Sequence, residues 1–167
     1  MNQESEATRP IFIFDTSVLI DYLRDQGLAA DAFAQASKMG EVWLTIISLL
    51  ELYLPSIRKE KKKEMIGRDI QKVEKLEKAY GARVMPIPED AQRHAVNVIA
   101  RHHYDTLGKG LLGDSLILAC GFLENAWLVT RDEKWFQLVH EQRNPLRLRV
   151  IGPTRLVQAT TLDDLLK

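Results

Sequence analysis

Cysteine is nearly absent from this chain of 167 residues, in which Cys120 is the single one. One thiol cannot close an internal disulfide, and such chains are typical of a reducing cytoplasm, where we expect this protein. Apolar runs are short, and none reaches the roughly 18 residues of a membrane-spanning helix. Residues 1–9 are polar and acidic, unlike a secretory signal. We therefore expect a protein that works without a membrane.

Net charge is absent as well, because 23 basic residues balance 23 acidic ones. Residues 1–54 hold three basic and eight acidic side chains, residues 55–83 hold ten and five, and residues 84–167 hold ten of each. A chain with an acidic part and a basic part can bind a cation at one place and a polyanion beside it. The charge pattern leaves open that the basic run is only a solvated helix face.

Short apolar runs alternate with helical patterns, which predicts an α/β protein with a parallel sheet covered on both faces. The predicted strands are 11–15, 42–46, 83–87, 127–130 and 148–151. Helices are predicted between them, one from Ser48 and one from Ser115, the latter after a glycine-rich loop at 105–113. The length suits one domain, at 11–167 after a tail at 1–10, with a basic helical segment at about 55–80.

Four acidic residues stand at strand ends or helix starts of this predicted fold. They are Asp15, Glu51, Asp114 and Asp132. Clustered carboxylates repel one another unless a cation neutralises them, and oxygen ligands of this kind suit Mg²⁺ or Mn²⁺. Sites of this type hydrolyse phosphodiesters, one ion activating water and a second stabilising the leaving oxygen. If the four acids meet at one edge of the sheet, they predict a metal-dependent phosphodiesterase.

Each acid also has a purely structural explanation. Asp15 could cap the next helix, although the two hydroxyl residues after it are better placed to do so. Glu51 fits a capping box that begins at Ser48. Asp114 and Asp132 would begin helices, where acids are favoured by the helix dipole and as caps. Asp15 carries most of the functional argument, because ligands bind beyond the carboxyl ends of strands in open α/β sheets.

Four motifs, in order and spacing across residues 11–151, resemble those of PIN-domain nucleases, especially the VapC-like toxins of toxin–antitoxin pairs. They are Phe14-Asp15-Thr16-Ser17-Val18-Leu19-Ile20-Asp21, Ile47-Ser48-Leu49-Leu50-Glu51-Leu52, Gly113-Asp114-Ser115-Leu116-Ile117-Leu118-Ala119 and Leu128-Val129-Thr130-Arg131-Asp132-Glu133-Lys134-Trp135-Phe136. The resemblance implies a Rossmann-like, three-layer α/β/α domain with a central parallel sheet of four to five strands.

The resemblance also implies an activity and its partners. It implies a Mg²⁺- or Mn²⁺-dependent endoribonuclease, usually a homodimer, that cuts RNA and is held in check by an antitoxin protein. The metal-binding and catalytic residues that it implies are Asp15, Glu51, Asp114 and Asp132. Ser17 and Thr130 match the positions of a supporting hydroxyl near the metal.

Some features depart from the family pattern or favour other functions. Tyr53 follows the second motif where a small residue is common, and segment 59–78 is long and charged. Glu133 could replace Asp132 as the fourth acid. A catalytically idle PIN-like module that binds RNA or protein and a free-standing RNA-processing nuclease stay open. An aspartyl phosphatase is disfavoured, because Ser17 stands where that chemistry needs a second Asp.

Several other residues are expected to have ordinary roles or to contact partners. Cys120 and the three tryptophans should pack in the core, and His102 and His103 should lie at a surface helix end. A basic stripe could contact phosphates without reading sequence. Its members are Arg58, Lys59, Lys61, Lys62, Lys63 and Arg68. Arg131 could meet a substrate phosphate or an antitoxin.

Overall fold

The computed structural model describes residues 9–58, 63–95, 111–140 and 147–166. Within them, five parallel strands form one sheet in the order β3-β2-β1-β4-β5. The strands are β1 (Ile11–Phe14), β2 (Glu41–Thr45), β3 (Arg83–Met85), β4 (Trp127–Val129) and β5 (Arg149–Ile151). The helices are α1 (Thr16–Leu23), α2 (Ala29–Met39), α3 (Ile46–Arg58), α4 (Lys63–Tyr80), α5 (Glu89–His94), α6 (Leu111–Leu123), α7 (Glu133–His140), α8 (Pro153–Gln158) and α9 (Leu162–Leu166).

Helices cover both faces of the sheet, because successive strand residues point to opposite sides. Phe12 and Phe14 of β1 enter one core, where Phe14 stacks on Phe33 of α2 with ring centroids 3.9 Å apart. Ile13 enters the other core, together with Ile117 and other apolar residues of α6. The predicted three-layer α/β/α fold with a parallel sheet is confirmed.

The central strand β1 lies at the point where the chain reverses its direction across the sheet. From β1 the chain adds β2 and then β3 on one side, and later places β4 and β5 on the other side. Ligands of open α/β sheets bind at this switch point, beyond the carboxyl ends of the strands. Asp15 follows β1 there, and its backbone N–H donates to the carbonyl of Val129 at the end of β4, at 2.9 Å.

Two helices begin earlier than the sequence predicts. Helix α3 begins at Ile46 instead of Ser48, since the Ser48 N–H donates to Thr45 Oγ1 at 3.0 Å and leaves Thr45 as the residue before the helix. Helix α6 begins at Leu111 instead of Ser115, so Gly113 is helical and the predicted loop is too long. Two leucines, which favour helix, precede Gly113 and extend α6 toward the N-terminus.

The chain after β5 also differs from the sequence analysis, which predicts no helix there. Helix α8 begins with Pro153 at its first position, where the fixed φ of proline suits a helix start. Its Leu156 and Leu165 of α9 are buried in the core that contains Phe14. In the part of the chain that the structure describes, no helix is both long enough and apolar enough to cross a bilayer.

Candidate active site

Asp15 is the buried acid at the centre of the candidate site. It is the N-cap of α1, and its Oδ2 accepts hydrogen bonds from the Ser17 N–H at 3.3 Å and from Ser17 Oγ at 2.7 Å. Thr130 Oγ1 donates to the same oxygen at 2.8 Å. The expectation that the two hydroxyl residues after Asp15 cap α1 in its place is therefore wrong, because Ser17 donates to Asp15 and the Thr16 hydroxyl donates to Glu51. The two supporting hydroxyls predicted from the sequence both lie on this carboxylate.

Thr130 connects Asp15 to Asp132, the fourth of the predicted acids. Its buried Oγ1 also accepts the backbone N–H of Asp132 at 3.0 Å. Asp132 in turn accepts the N–H of Lys134 through Oδ1 at 2.9 Å, which makes it a cap of α7 as well as a candidate ligand. The ends of β1 and β4 are thus joined by one hydrogen-bonded network.

Glu51 extends from α3 into the site. Its carboxylate contacts Thr16 and Gly113, and not Ser48 as a capping box would require. Its Oε2 accepts a hydrogen bond from Thr16 Oγ1 at 2.6 Å. Its Oε1 lies against Gly113 of α6, so close that a Cβ built there would be 2.2 Å away. The capping-box interpretation with Ser48 is wrong, since Ser48 lies inside α3 and bonds to Thr45.

Asp114, in the first turn of α6, lies close enough to the other three acids to interact with their charges. Its pKa is raised from 3.8 to about 7, chiefly because the carboxyl is partly desolvated and then because of the charges of Asp15, Asp132 and Glu51. Burial also raises the pKa of Asp15, against the opposing effect of the hydrogen bonds from Ser17 and Thr130. Like charges held together disfavour ionisation in this way unless a cation offsets them.

The geometry limits how a metal could be held. Among the described residues, no three His, Cys, Asp or Glu side chains are placed so that they could bind one ion together. The donors that are present are carboxylate oxygens, the hard ligands that Mg²⁺ and Mn²⁺ favour. Mg²⁺ commonly binds through one or two carboxylates and completes its coordination with water and substrate phosphate. The donor chemistry therefore fits such an ion, with few direct protein ligands.

Three residues near the site were assigned no such role from the sequence. Thr16 and Gly113 contact Glu51, and Asp21, buried in α1, pairs with the guanidinium of Arg131. All three residues stand within the sequence motifs. The pattern around Gly113 does not reveal its role, because a glycine before an acid is as typical of a loop as of a close contact between helices. Arg131 is thus bound within the chain, although its side chain stays 56% exposed.

The remaining sequence predictions concern residues away from the four acids. Cys120 is buried in the core and its pKa is raised to about 11, mainly by burial, which confirms a packing role. Trp127 and Trp135 are buried too, as predicted. His102, His103 and three residues of the basic stripe lie outside the described residues, namely Lys59, Lys61 and Lys62. Arg68 of the stripe is exposed on α4.

The fold and the site together describe a class of α/β protein with a parallel sheet and a cluster of carboxylates beyond the carboxyl ends of its strands. Within that class, the PIN domain family matches residues 12–141, and this chain belongs to the PIN domain family. No curated protein matches the sequence.

Solved structures with the same fold include toxin–antitoxin proteins. VapBC2 from Rickettsia felis, bound to a DNA fragment from its promoter, matches at a TM-score of 0.61 and 19% identity, covering 85% of this chain and 98% of that one. FitAcB from Neisseria gonorrhoeae matches at 0.60 and 20%, covering 86% and 98%. A toxin–antitoxin complex from Klebsiella pneumoniae matches at 0.54 and 19%, covering 84% and 96%. At these identities the likeness is one of fold.

Proposed function

We propose that this chain is a Mg²⁺- or Mn²⁺-dependent endoribonuclease, in which four carboxylates hold the metal, directly or through water, and carry out catalysis. These residues are Asp15, Glu51, Asp114 and Asp132. The observation that carries the proposal is that Thr130 joins Asp15 to Asp132 at the switch point of the sheet, while Glu51 lies against Gly113, the residue before Asp114. Repulsion among these carboxylates costs the folded protein stability, and a bound divalent cation would offset that cost.

The chain's own residues would prepare this site for the cation. Ser17 and Thr130 donate to Oδ2 of Asp15, which fixes the orientation of the carboxylate. Asp15 and Asp114 would be the principal ligands, and Glu51 and Asp132 would act directly or through water. A bound divalent cation would neutralise these charges, activate water and stabilise the charge that develops on the phosphodiester. At neutral pH, a proton on Asp114 competes with that cation, because the pKa of its carboxyl is about 7.

We further propose that the protein is the toxin of a toxin–antitoxin pair, acting as a homodimer in the cytoplasm. The likeness to VapBC2, to FitAcB and to the Klebsiella toxin–antitoxin complex supports this assignment, together with the VapC-like motifs. A small neighbouring gene for a DNA-binding protein would supply the antitoxin. Its product should copurify with this chain and suppress RNA cleavage, and cleavage that it leaves unchanged would instead favour a free-standing RNA-processing nuclease.

Incubation with labelled tRNA and rRNA tests the activity itself. The parent chain should cut RNA with added Mg²⁺ or Mn²⁺ and not in EDTA. An Asp114→Asn variant should lose cleavage, whereas Asp31→Asn, the same change at an exposed residue of α2, should keep it. No cleavage by the parent chain, together with no heat of Mn²⁺ binding, would overturn the proposal and favour a PIN-like module that binds RNA or protein without cutting.

A further inference from the structure

The carboxylate of Glu51 is held from two sides by residues of two other helices. We propose that Gly113 and Thr16 are positioning residues for Glu51: Gly113 leaves the space that one carboxylate oxygen occupies, and Thr16 hydrogen-bonds the other. The contacts are independent of any assigned activity, but their consequence for metal binding rests on the proposed function.

Gly113 matters through the side chain that it lacks. A Cβ at this position would lie 2.2 Å from Glu51 Oε1 and 3.3 Å from its Cδ, and 3.7 Å from Ile47 Cγ2. The first two contacts are with the end of one flexible side chain, so α6 could accept a methyl group only if the carboxylate moved away. Glycine weakens a helix relative to alanine. A glycine inside α6 is therefore unfavourable for the helix itself but makes room for Glu51.

Thr16 fixes the opposite oxygen of the same carboxylate. Its Oγ1 donates to Glu51 Oε2 at 2.6 Å, a short hydrogen bond to a charged acceptor. Thr16 is the first residue of α1 and follows Asp15, while Gly113 precedes Asp114 in α6. The two contacts thus set Glu51 at a defined distance from both neighbouring acids, as outer contacts commonly do for metal ligands.

The inference predicts opposite effects of Gly113→Ala on stability and on the site. The variant should melt at the same temperature as the parent chain or higher, because alanine favours the helix. Its affinity for Mn²⁺ should fall by about 10- to 100-fold, because the methyl group displaces Glu51. Gly67→Ala in α4 is the matched control, since a Cβ there meets nothing within 4 Å. That variant should share the effect on melting and bind Mn²⁺ like the parent chain.

Variants of Thr16 separate the hydrogen bond from the shape of the side chain. Thr16→Val has nearly the same volume but cannot donate to Glu51, so Mn²⁺ affinity should fall. Thr16→Ser keeps the hydroxyl and should restore the affinity to near that of the parent chain. Parent-like affinity in Thr16→Val together with a loss in Thr16→Ser would mean that the methyl group of Thr16, and not its hydroxyl, matters, which would contradict its assigned role.

A double-mutant cycle tests whether Gly113 acts through Glu51. In a Glu51→Ala background there is no carboxylate to displace, so adding Gly113→Ala should leave the remaining Mn²⁺ affinity unchanged. An equal further loss in that background would overturn the inference, because Gly113 would then act elsewhere in the site.

Isothermal calorimetry with Mn²⁺ on the purified full chain, with melting followed by circular dichroism, supplies both readouts. Weaker binding by Gly113→Ala, with a melting temperature that is unchanged or raised, would support the inference. Parent-like binding by this variant would overturn the inference and leave the proposed function standing. No Mn²⁺ binding by the parent chain would overturn the proposed function, and this inference with it.

Discussion

Arg131 pairs through its guanidinium with the carboxylate of Asp21, and the pair ties the loop after β4 to α1. Asp21 is buried, whereas the side chain of Arg131 is 56% exposed. The backbone N–H of Arg131 also donates to Ser17 Oγ at 3.1 Å. The residue between Thr130 and Asp132 is thus fixed by both its main chain and its side chain.

The unequal burial of this pair predicts unequal effects of its two partners on stability. Arg131→Met leaves a buried carboxylate without its cation and should lower the free energy of unfolding by about 1–3 kcal/mol. Asp21→Asn leaves an exposed guanidinium and should lower it by about 1 kcal/mol. In the double variant the effect of Arg131→Met should shrink, because no buried charge is left behind. Urea unfolding of the three variants measures these differences.

An exposed pair supplies the control. Lys72 and Asp25 lie 2.7 Å apart, but Asp25 is 83% exposed. Asp25→Asn should therefore change the free energy of unfolding by less than about 1 kcal/mol. Equal effects of Asp25→Asn and Arg131→Met would mean that burial of Asp21 adds nothing to the pair.

The sequence predicts the fold better than it predicts the contacts within the site. Alternating apolar runs and helical patterns are local signals, so the strand at 11–15 and the parallel sheet follow from them. The position of Asp15 at the switch point follows from the same pattern. Helix starts are less certain because they depend on capping contacts, as at Ser48, whose N–H is taken by Thr45.

The contacts of Thr16, Gly113 and Arg131 could not be predicted in the same way. Each joins segments that are far apart in sequence, and only the packing of α1, α3 and α6 brings Thr16 and Gly113 to Glu51. A glycine before an acid is compatible with a loop, a helix start or a close approach. The charge of Arg131 would suit a phosphate, but in the structure its guanidinium pairs with the buried Asp21 of α1.

Stability of the metal-free protein should depend on pH through Asp114. Its pKa is about 7 in the folded chain against an ordinary value of 3.8, so between these values the folded state binds more protons than the unfolded state. The contribution of this group to the free energy of unfolding therefore falls as the pH rises through that window. Because the carboxyl is partly exposed, solvent screening limits the effect to on the order of 1–2 kcal/mol.

Urea unfolding in EDTA at about pH 4.5 and about pH 7.5 measures this dependence. Asp114→Asn removes the titrating group, so the parent chain should lose more stability than this variant between the two pH values. Added Mg²⁺ should stabilise the parent chain mainly at the higher pH, where the carboxyls are ionised. Equal losses in the two proteins would contradict the raised pKa.

Packing of α6 on β4 depends on the absence of a side chain at Gly121. A Cβ there would lie 2.7 Å from Cδ2 and Cγ of the fully buried Leu128. Gly121→Ala should therefore lower the free energy of unfolding by about 1–3 kcal/mol, although alanine favours helix. Gly67→Ala, which meets no neighbour, should raise it by up to about 1 kcal/mol. Stabilisation by both variants would show that helix propensity outweighs this contact.

Thr130 should tune the acid side of the pH–activity profile. Its hydrogen bond lowers the pKa of Asp15 against the effect of burial, so Thr130→Val should raise that pKa further. A carboxylate that ionises at higher pH moves the acidic limb of Mn²⁺-dependent RNA cleavage to higher pH. Thr130→Val should also lower the free energy of unfolding by about 1–3 kcal/mol, since the Asp132 N–H loses its buried acceptor.

Thr130→Ser distinguishes the hydroxyl of Thr130 from its methyl group. It keeps the oxygen that donates to Asp15 and accepts from Asp132 but leaves a small void in a fully buried position. Its acidic limb should match that of the parent chain even if the void lowers stability, because the pKa of Asp15 responds to the hydrogen bond and not to packing. Initial rates of cleavage of labelled RNA across the pH range measure both variants. An acidic limb that stays in place in Thr130→Val, or that moves as far in Thr130→Ser as in Thr130→Val, would contradict the hydrogen-bond explanation.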